Sequence, residues 1–289
     1  MTTVYPLKFQ IGPLELTGFG LMMMAAFLIG GWLVAQELKR RNLRDDFAGD
    51  IILGAVLGGI VGAKLWYVGL HGTEHLLSRG GLVWYGGFVG GCIGVIAASM
   101  VREVPIRLTA HLVAPALAAA YAVGRIGCFM VGDDYGFPTN VPWAVKFPQG
   151  LPPTTAASLA EFGFPVPAGT SPTEVLAVHP TMLYETAIMT LAFLLLWKLR
   201  RKDWGTGWLF GLYLILAGAE RFFVEFYRAK DDRFLGGFTL AQGMSALVIV
   251  AGFVVFLQLK DLPEAVPGAF LTDRRPDGRT GRKAVPSKK

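Results

Sequence analysis

Apolar residues in this chain neither alternate strictly nor keep to a narrow stripe; they come in long blocks separated by polar connections. A helix needs about 20 predominantly apolar residues to cross a hydrocarbon core about 30 Å thick. Windows of that kind run from Gly18 to Leu38, Asp50 to Leu70, Leu82 to Val101, Leu108 to Val131, Met182 to Leu199, Gly205 to Phe226 and Phe238 to Leu259. The pattern predicts an all-α polytopic membrane protein of about seven transmembrane helices. One connection breaks the rhythm. Gly132 to Pro180 is rich in proline and holds a single basic residue, Lys146, with Trp143, Phe147, Phe162 and Phe164 among its apolar members. Loops of this length are functional or disordered, and the aromatic content predicts an ordered head or arm. The expected organisation is a transmembrane domain over residues 1–261 containing a head at 132–181, then a disordered basic tail at 262–289.

Composition agrees with the pattern and removes the soluble classes: 53% of residues are hydrophobic, 17% are charged, and the mean hydropathy is +0.48. The start, Met1 to Phe9, has no basic cluster ahead of a short apolar core, so no cleavable signal is expected and the first span is retained. Lysine and arginine set the orientation, because short cytoplasmic loops hold the excess of both. The connections after spans one, three and five, with the tail from Lys260, carry eighteen of the 27. The opposite side carries six: Lys8, Arg79, Lys146, Arg228, Lys230 and Arg233. The N-terminus is therefore expected outside and the C-terminus inside, as an odd number of spans requires. The net charge of +6 needs no nucleic-acid partner, since a basic tail is attracted to anionic headgroups. Cys92 and Cys128 both fall in spans, with no disulfide framework and no metal-ligand spacing. Gly54, Gly58, Gly59 and Gly62, and Gly86, Gly87, Gly90, Gly91 and Gly94, recur at spacings of three and four, the small-residue pattern that lets membrane helices approach closely.

Chemistry enters with the charges inside the apolar blocks. Arg125 and Arg221 lie in or at the edge of spans, where a guanidinium costs several kcal/mol and marks a functional site by default. Two fixed positive charges at one membrane level point to an anionic ligand. Gly124-Arg-Ile-Gly-Cys-Phe-Met-Val-Gly-Asp-Asp-Tyr-Gly136 closes span four. Its arginine can hold two phosphate oxygens at once, and Asp133 or Asp134 can orient that arginine or act on a proton. The same residues can equally form an internal ion pair. Arg221, Glu225 and Arg228 fall at i, i+4 and i+7, one face of a continuous helix. His179-Pro-Thr-Met-Leu-Tyr-Glu185 opens span five at the same outer level. The proline suits a first helical turn, which places His179 just outside the membrane with a side chain able to move protons near neutrality, and Glu185 about one turn inside.

These stretches, with Gly80 to Gly87 (Gly-Gly-x-x-x-Tyr-Gly-Gly) and the Arg-x-x-x-Glu-x-x-Arg run, resemble the prolipoprotein diacylglyceryl transferase family in the same order along Gly18 to Leu259. The resemblance implies a bacterial inner-membrane enzyme. Its reaction moves the diacylglyceryl group of phosphatidylglycerol onto the thiol of a lipobox cysteine in the signal peptide of a prolipoprotein, releasing glycerol 1-phosphate. It also implies that Arg125 and Arg221 hold the lipid head, with Glu225 as acidic partner, Asp133 as the acid of the signature and Gly136 as its terminal glycine. No metal or cofactor is expected. Many family members carry histidine where this chain has Tyr85, asparagine where it has Cys128 and glutamate where it has Asp133. A phenol with a reference pKa of about 10 is a poor base at neutral pH, so His179 or Asp133 would take the thiol proton. Tyr85 would donate a hydrogen bond to the phosphate. Two alternatives stay open: a divergent member acting on another thiol or lipid acceptor, and a non-enzymatic phospholipid-binding membrane protein.

Overall fold

The computed structural model describes residues 2–12, 14–72, 83–164, 166–228 and 237–272. Arg79, Gly80, Lys230, Arg233 and the tail from residue 273, which the sequence reading used, lie outside the described residues. Nine helices are described: α1 (Gly18–Arg40), α2 (Phe47–His71), α3 (Trp84–Val101), α4 (Ile106–Val131), α5 (Ala156–Glu161), α6 (Thr181–Leu199), α7 (Trp208–Val224), α8 (Leu240–Leu259) and α9 (Ala269–Thr272). Six of them, α1, α2, α3, α4, α6 and α8, are long and apolar enough to cross a membrane. The protein is a multi-pass membrane protein. Helix α7 has 17 residues, a rise of about 26 Å at 1.5 Å per residue, and stops at Val224 where the sequence reading ran the span to Phe226. The chain continues as a 3-10 turn over Glu225–Tyr227.

Helix α4 is the axis of the bundle. Half of its most apolar window is buried, against 11–28% for the other membrane-length helices. Small side chains make that possible: Ala114 and Ala118 are fully buried against Met189 of α6 and Trp208 and Leu209 of α7. Gly127 meets Phe19 and Met22 of α1. Helices α1, α6 and α7 therefore surround α4, while α2 packs on α1 and α8 on α7. The glycine pattern of the second and third spans is used as expected from its spacing. Gly54, Gly58 and Gly62 of α2 face Gly94, Gly90 and Gly86 of α3 so closely that an added Cβ would strike the opposing backbone. A bidentate Arg102–Asp50 pair at 2.9 and 3.1 Å closes one end of this hairpin.

The segment after α4 folds over one end of the bundle. Its core joins Phe147, Leu159 and Val178 to Cys128 of α4 and Met182 of α6, all buried, whereas Trp143 and Phe162 stay exposed. Strand β1 (Thr2–Thr3) pairs in parallel with β4 (Val145–Lys146) of this head, and the hairpin of β2 (Lys8–Ile11) and β3 (Leu14–Thr17) leads into α1. At the opposite end, residues 262–272 depart from the expected disordered tail. Ala265 and Leu271 are buried in a core with Leu38, Phe47 and Leu108, and Phe270 lies beneath the guanidinium groups of Arg44 and Arg102, 4.5 and 4.4 Å from them. A few apolar side chains and two cations over one ring hold a segment that composition alone reads as tail.

The glycine seam yields a test. Gly58→Leu is expected to force α2 from α3 and to destabilise the detergent-solubilised protein by about 1–3 kcal/mol or more, the usual cost of overpacking. Gly59→Ala, whose Cβ would meet its nearest neighbour at 3.6 Å, is expected to melt at or slightly above the wild-type temperature. Thermal unfolding of the two variants side by side measures the difference.

Candidate functional site

The polar site is built where α4, α6 and α7 end or begin beneath the head. Helix α4 stops at Gly132 in the left-handed conformation (φ 69°), its N–H returning to the carbonyls of Cys128 and Phe129. Asp134 is also left-handed (φ 60°), and its carbonyl is fixed by the Thr181 hydroxyl at 2.6 Å. Two left-handed residues so close together double the chain back, which aims the Asp134 carboxylate at the helix it has just left. Oδ2 lies 2.8 Å from Nη1 of Arg125, and Oδ1 accepts from Nη2 of Arg228.

Glu185, with no exposed side-chain surface, links the same two arginines: Oε2 is 2.8 Å from Nε of Arg125 and Oε1 is 3.2 Å from Nη1 of Arg228. Glu225 continues the chain of charges. Its Oε2 lies 3.7 Å from Nε of Arg228 and accepts from Nη1 of Arg221. The result is one continuous network, Arg125 to Arg221, in which three guanidinium groups alternate with three carboxylates. Exposure differs along it. The Arg228 side chain is 4% exposed, those of Arg125 and Arg221 16% and 26%. Arg125 also receives support from Tyr121, one turn earlier, whose hydroxyl accepts from Nη2 at 3.0 Å. Glu220 is 3% exposed nearby, and its Oε1 has no partner among the described residues.

Beside the network stands an aromatic cluster. His179, Tyr184 and Tyr227 have ring centroids 5.4–6.1 Å apart. Trp143 donates to the Tyr184 hydroxyl at 2.7 Å, and that hydroxyl lies 3.0 Å from Nδ1 of His179, to which it can donate its own proton. The neutral imidazole then carries its proton on Nε2. Burial holds the His179 pKa below its ordinary value, so the ring is neutral at pH 7. Gly136 joins the two regions: its N–H donates to the His179 carbonyl at 2.8 Å, and Phe137 N–H donates to Tyr227 O at 3.0 Å. A Cβ on Gly136 would come within 2.8 Å of Thr181 Cγ2 and 3.0 Å of His179 Cβ. Its glycine is required by this close approach of backbone.

The expected site residues are thus sorted by the fold. Arg125, Arg221 and Glu225 are joined, and His179 and Gly136 lie next to them. Arg221, Glu225 and Arg228 converge although α7 does not continue through them as one helix: Arg228 is extended (φ −81°, ψ 149°). The acid that holds Arg125 is Asp134, not Asp133, because the turn presents the second carboxylate to the helix. Burial and the adjacent Asp134 carboxylate push the Asp133 pKa up. Among the described residues Tyr85 makes no hydrogen bond with the group. It lies on α3, 60% exposed, with its ring edge-on to Trp84. Asp134 was one of two candidates for orienting Arg125 and Arg228 was placed on a face with Arg221, but neither was assigned a role in the site, and Glu185 was placed only at its depth; an ionisable residue next to an apolar block was the available signal for Glu185. Among the described residues one group could offer metal ligands: Cys128 Sγ and carboxylate oxygens of Asp133 and Asp134 lie within 4.8 Å of one another. Asp134 already serves two arginines there.

A family model described as prolipoprotein diacylglyceryl transferase matches residues 6–258. Proteins named phosphatidylglycerol–prolipoprotein diacylglyceryl transferase are similar over nearly the whole chain. The one from Pseudoalteromonas atlantica is 33% identical, covering 87% of this chain and 88% of its own length. That from Rhodospirillum rubrum is 32% identical, covering 91% and 95%, and that from Nitrosomonas europaea 30% identical, covering 86% and 88%.

The two adjacent aspartates separate the structural roles. Asp134→Asn is expected to destabilise the protein strongly, toward the 3–5 kcal/mol typical of a buried charge left without its partner. Asp133→Asn should leave the melting temperature unchanged or slightly raised at pH 7. A carboxyl whose pKa is higher in the folded state binds protons on folding, so its stability contribution falls as pH rises above the ordinary carboxylate range. Melting curves at pH 5 and 7 distinguish the pair.

Proposed function

The chain belongs to the prolipoprotein diacylglyceryl transferase family, and from that premise we propose that it transfers the diacylglyceryl group of phosphatidylglycerol to the thiol of a lipobox cysteine, releasing glycerol 1-phosphate. It is a membrane transferase of lipoprotein biosynthesis, with phosphatidylglycerol and prolipoproteins as its substrates. The observation that carries the reading onto this chain is the network in which Arg125 and Arg221 keep exposed edges while Arg228 is sealed beneath them. The bacterial cytoplasmic membrane is the assigned location, with the head at the periplasmic face. The excess of lysine and arginine at the other end of the bundle supports that orientation.

In this reading Arg125 and Arg221 take the phosphodiester of the lipid. The cysteine sulfur attacks the glycerol carbon bearing the phosphate oxygen; the new C–S bond forms as the C–O bond breaks, and the electron pair leaves on that oxygen. The leaving phosphate gains negative charge, and donors already aimed at it stabilise the transition state more than the ground state. A free thiol has a pKa of about 8.5, so the nearby guanidinium groups also favour its ionised form. The thiol proton goes to His179 through the Tyr184 hydroxyl, which can donate to Nδ1. Asp133, raised in pKa, is the alternative acceptor at the same end. Glu225 orients Arg221, Asp134 and Glu185 orient Arg125, and Gly136 lets the His179 and Arg228 segments meet. Tyr85 is left as a lipid-facing side chain.

Purified protein incubated with phosphatidylglycerol and a lipobox peptide is expected to give the thioether product and glycerol phosphate. Arg125→Ala and Arg221→Ala should each lower kcat by about 10²–10³, the loss seen on removing one preorganised donor. Unchanged turnover in either variant removes that arginine from the proposed role. Activity should fall on acidification through an apparent pKa below about 6.5, the ordinary imidazole value. Tyr184→Phe should weaken or abolish that acid limb if His179 receives the proton through this hydroxyl, and an unaltered limb assigns the base to Asp133 instead.

A further inference from the structure

The end of the bundle away from the arginine network carries a second polar construction that the transferase reading does not use. Glu37, 1% exposed in the last turns of α1, accepts from Arg40 at 2.9 and 2.6 Å, Arg41 at 2.8 Å and Arg200 at 2.9 Å. One buried carboxylate therefore serves three guanidinium groups. Above it opens a cavity of about 370 Å³ bordered by Arg40, Arg41, Arg200, Arg201, Lys202 and His111. Its two carboxylates, Asp203 and Glu264, are exposed, and Glu264 stands 3.3 Å from Arg41. Arg201 and Lys202 make no ion pair among the described residues. Five of the lining residues are arginine or lysine, against two carboxylates.

Basic residues at the ends of α1 and α6 also complement the helix C-termini and satisfy the rule for cytoplasmic loops. Neither reason accounts for His111. The ring is 3% exposed, and its Nδ1 accepts from the N–H of Gly207 at 3.2 Å. The neutral imidazole then carries its proton on Nε2, which is buried and has no partner among the described residues. A buried donor is thus left unpaired on a residue that lines a cationic cavity, and an unpaired buried donor is costly. The volume equals about a dozen waters at about 30 Å³ each and falls at the small end of ligand sites. It suits a phosphate group with a short organic substituent. Arginine forks match phosphate oxygens in pairs, whereas a metal cation would be repelled.

We infer that this cavity is a binding site for a phosphate-bearing anion, held between the C-terminal ends of α1 and α6 and the segment that leads into α7. The phosphate comes either from a soluble ester or from the headgroup of an anionic phospholipid in the adjoining leaflet. Both present the same oxygens to the same donors.

The test uses the full chain. In neutral detergent, inorganic phosphate is titrated at constant ionic strength against chloride, and in phosphatidylcholine nanodiscs the protein is compared with and without phosphatidic acid. A rise in melting temperature of about 2–4 °C is expected from ligand linkage. The double variant Arg201→Gln with Lys202→Gln, both exposed and outside the ion pairs, should lose at least half of the rise while melting like wild type without added anion. The exchange Arg201→Lys with Lys202→Arg should keep the rise. A response to inorganic phosphate assigns the site to a soluble ester, and a response confined to phosphatidic acid assigns it to a lipid headgroup. Equal melting in phosphate and chloride together with no effect of phosphatidic acid overturns the proposal, as does a rise that the glutamine variant retains in full.

Discussion

Charges near lipid persist only in company, and the pairing of Arg228 with Glu185 and Asp134 is the constraint around which the head end of this protein is arranged. Arg228 is 4% exposed and Glu185 is sealed, so neither could remain ionised alone without a cost of several kcal/mol. Each partner comes from a different place: Asp134 follows α4, Glu185 belongs to α6, and Arg228 follows α7. Satisfying the charges therefore fixes three helix ends relative to one another. The left-handed turn at Gly132 and Asp134 and the close approach at Gly136 are local consequences of that requirement.

The rest of the bundle needs less specific means. Lipid tails are as apolar as leucine, so membrane helices gain little from burying apolar surface and depend on close packing. Glycines 54, 58 and 62 against 94, 90 and 86 bring α2 and α3 to backbone contact, and alanines do the same for α4 against α6 and α7. This division explains why α2 and α3 hold few ionisable groups away from their ends.

Helix positions were legible in the sequence because a membrane span is set by length and apolarity, which need no tertiary information. The glycine seam was legible because spacing of three and four determines a helix face. Arg125, Arg221 and Glu225 were legible as a group because ionisable residues in apolar blocks are few. The choice between Asp133 and Asp134 was not, since it depends on two left-handed residues whose direction no motif reveals. The role of Arg228 was half visible: its spacing from Arg221 put it on a shared face, but the helix ends at Val224 and an extended residue delivers the side chain instead. Residues 262–272 were misread because a short amphipathic stretch near a basic tail has the composition of a tail until its apolar residues find a core.

A network of three guanidinium groups and three carboxylates has little net charge, yet it is proposed to hold a phospholipid head. The resolution lies in donor geometry. Of the five N–H groups of Arg125, those on Nη1 donate to Asp134 and to Cys128 Sγ and one on Nη2 donates to Tyr121, while Nε stands 2.8 Å from the Glu185 carboxylate, so the second N–H on Nη2 is left over among the described residues. Among the described residues Arg221 is engaged only at Nη1 and keeps more. The carboxylates lock the planes of these forks, so the donors need no reorganisation when charge appears in front of them. Fixed donors in a nearly neutral frame favour a charge that grows during the reaction over one that is merely present, because the gain rises with the charge they face. Pairing the arginines internally is therefore compatible with catalysis and is a means of aiming them.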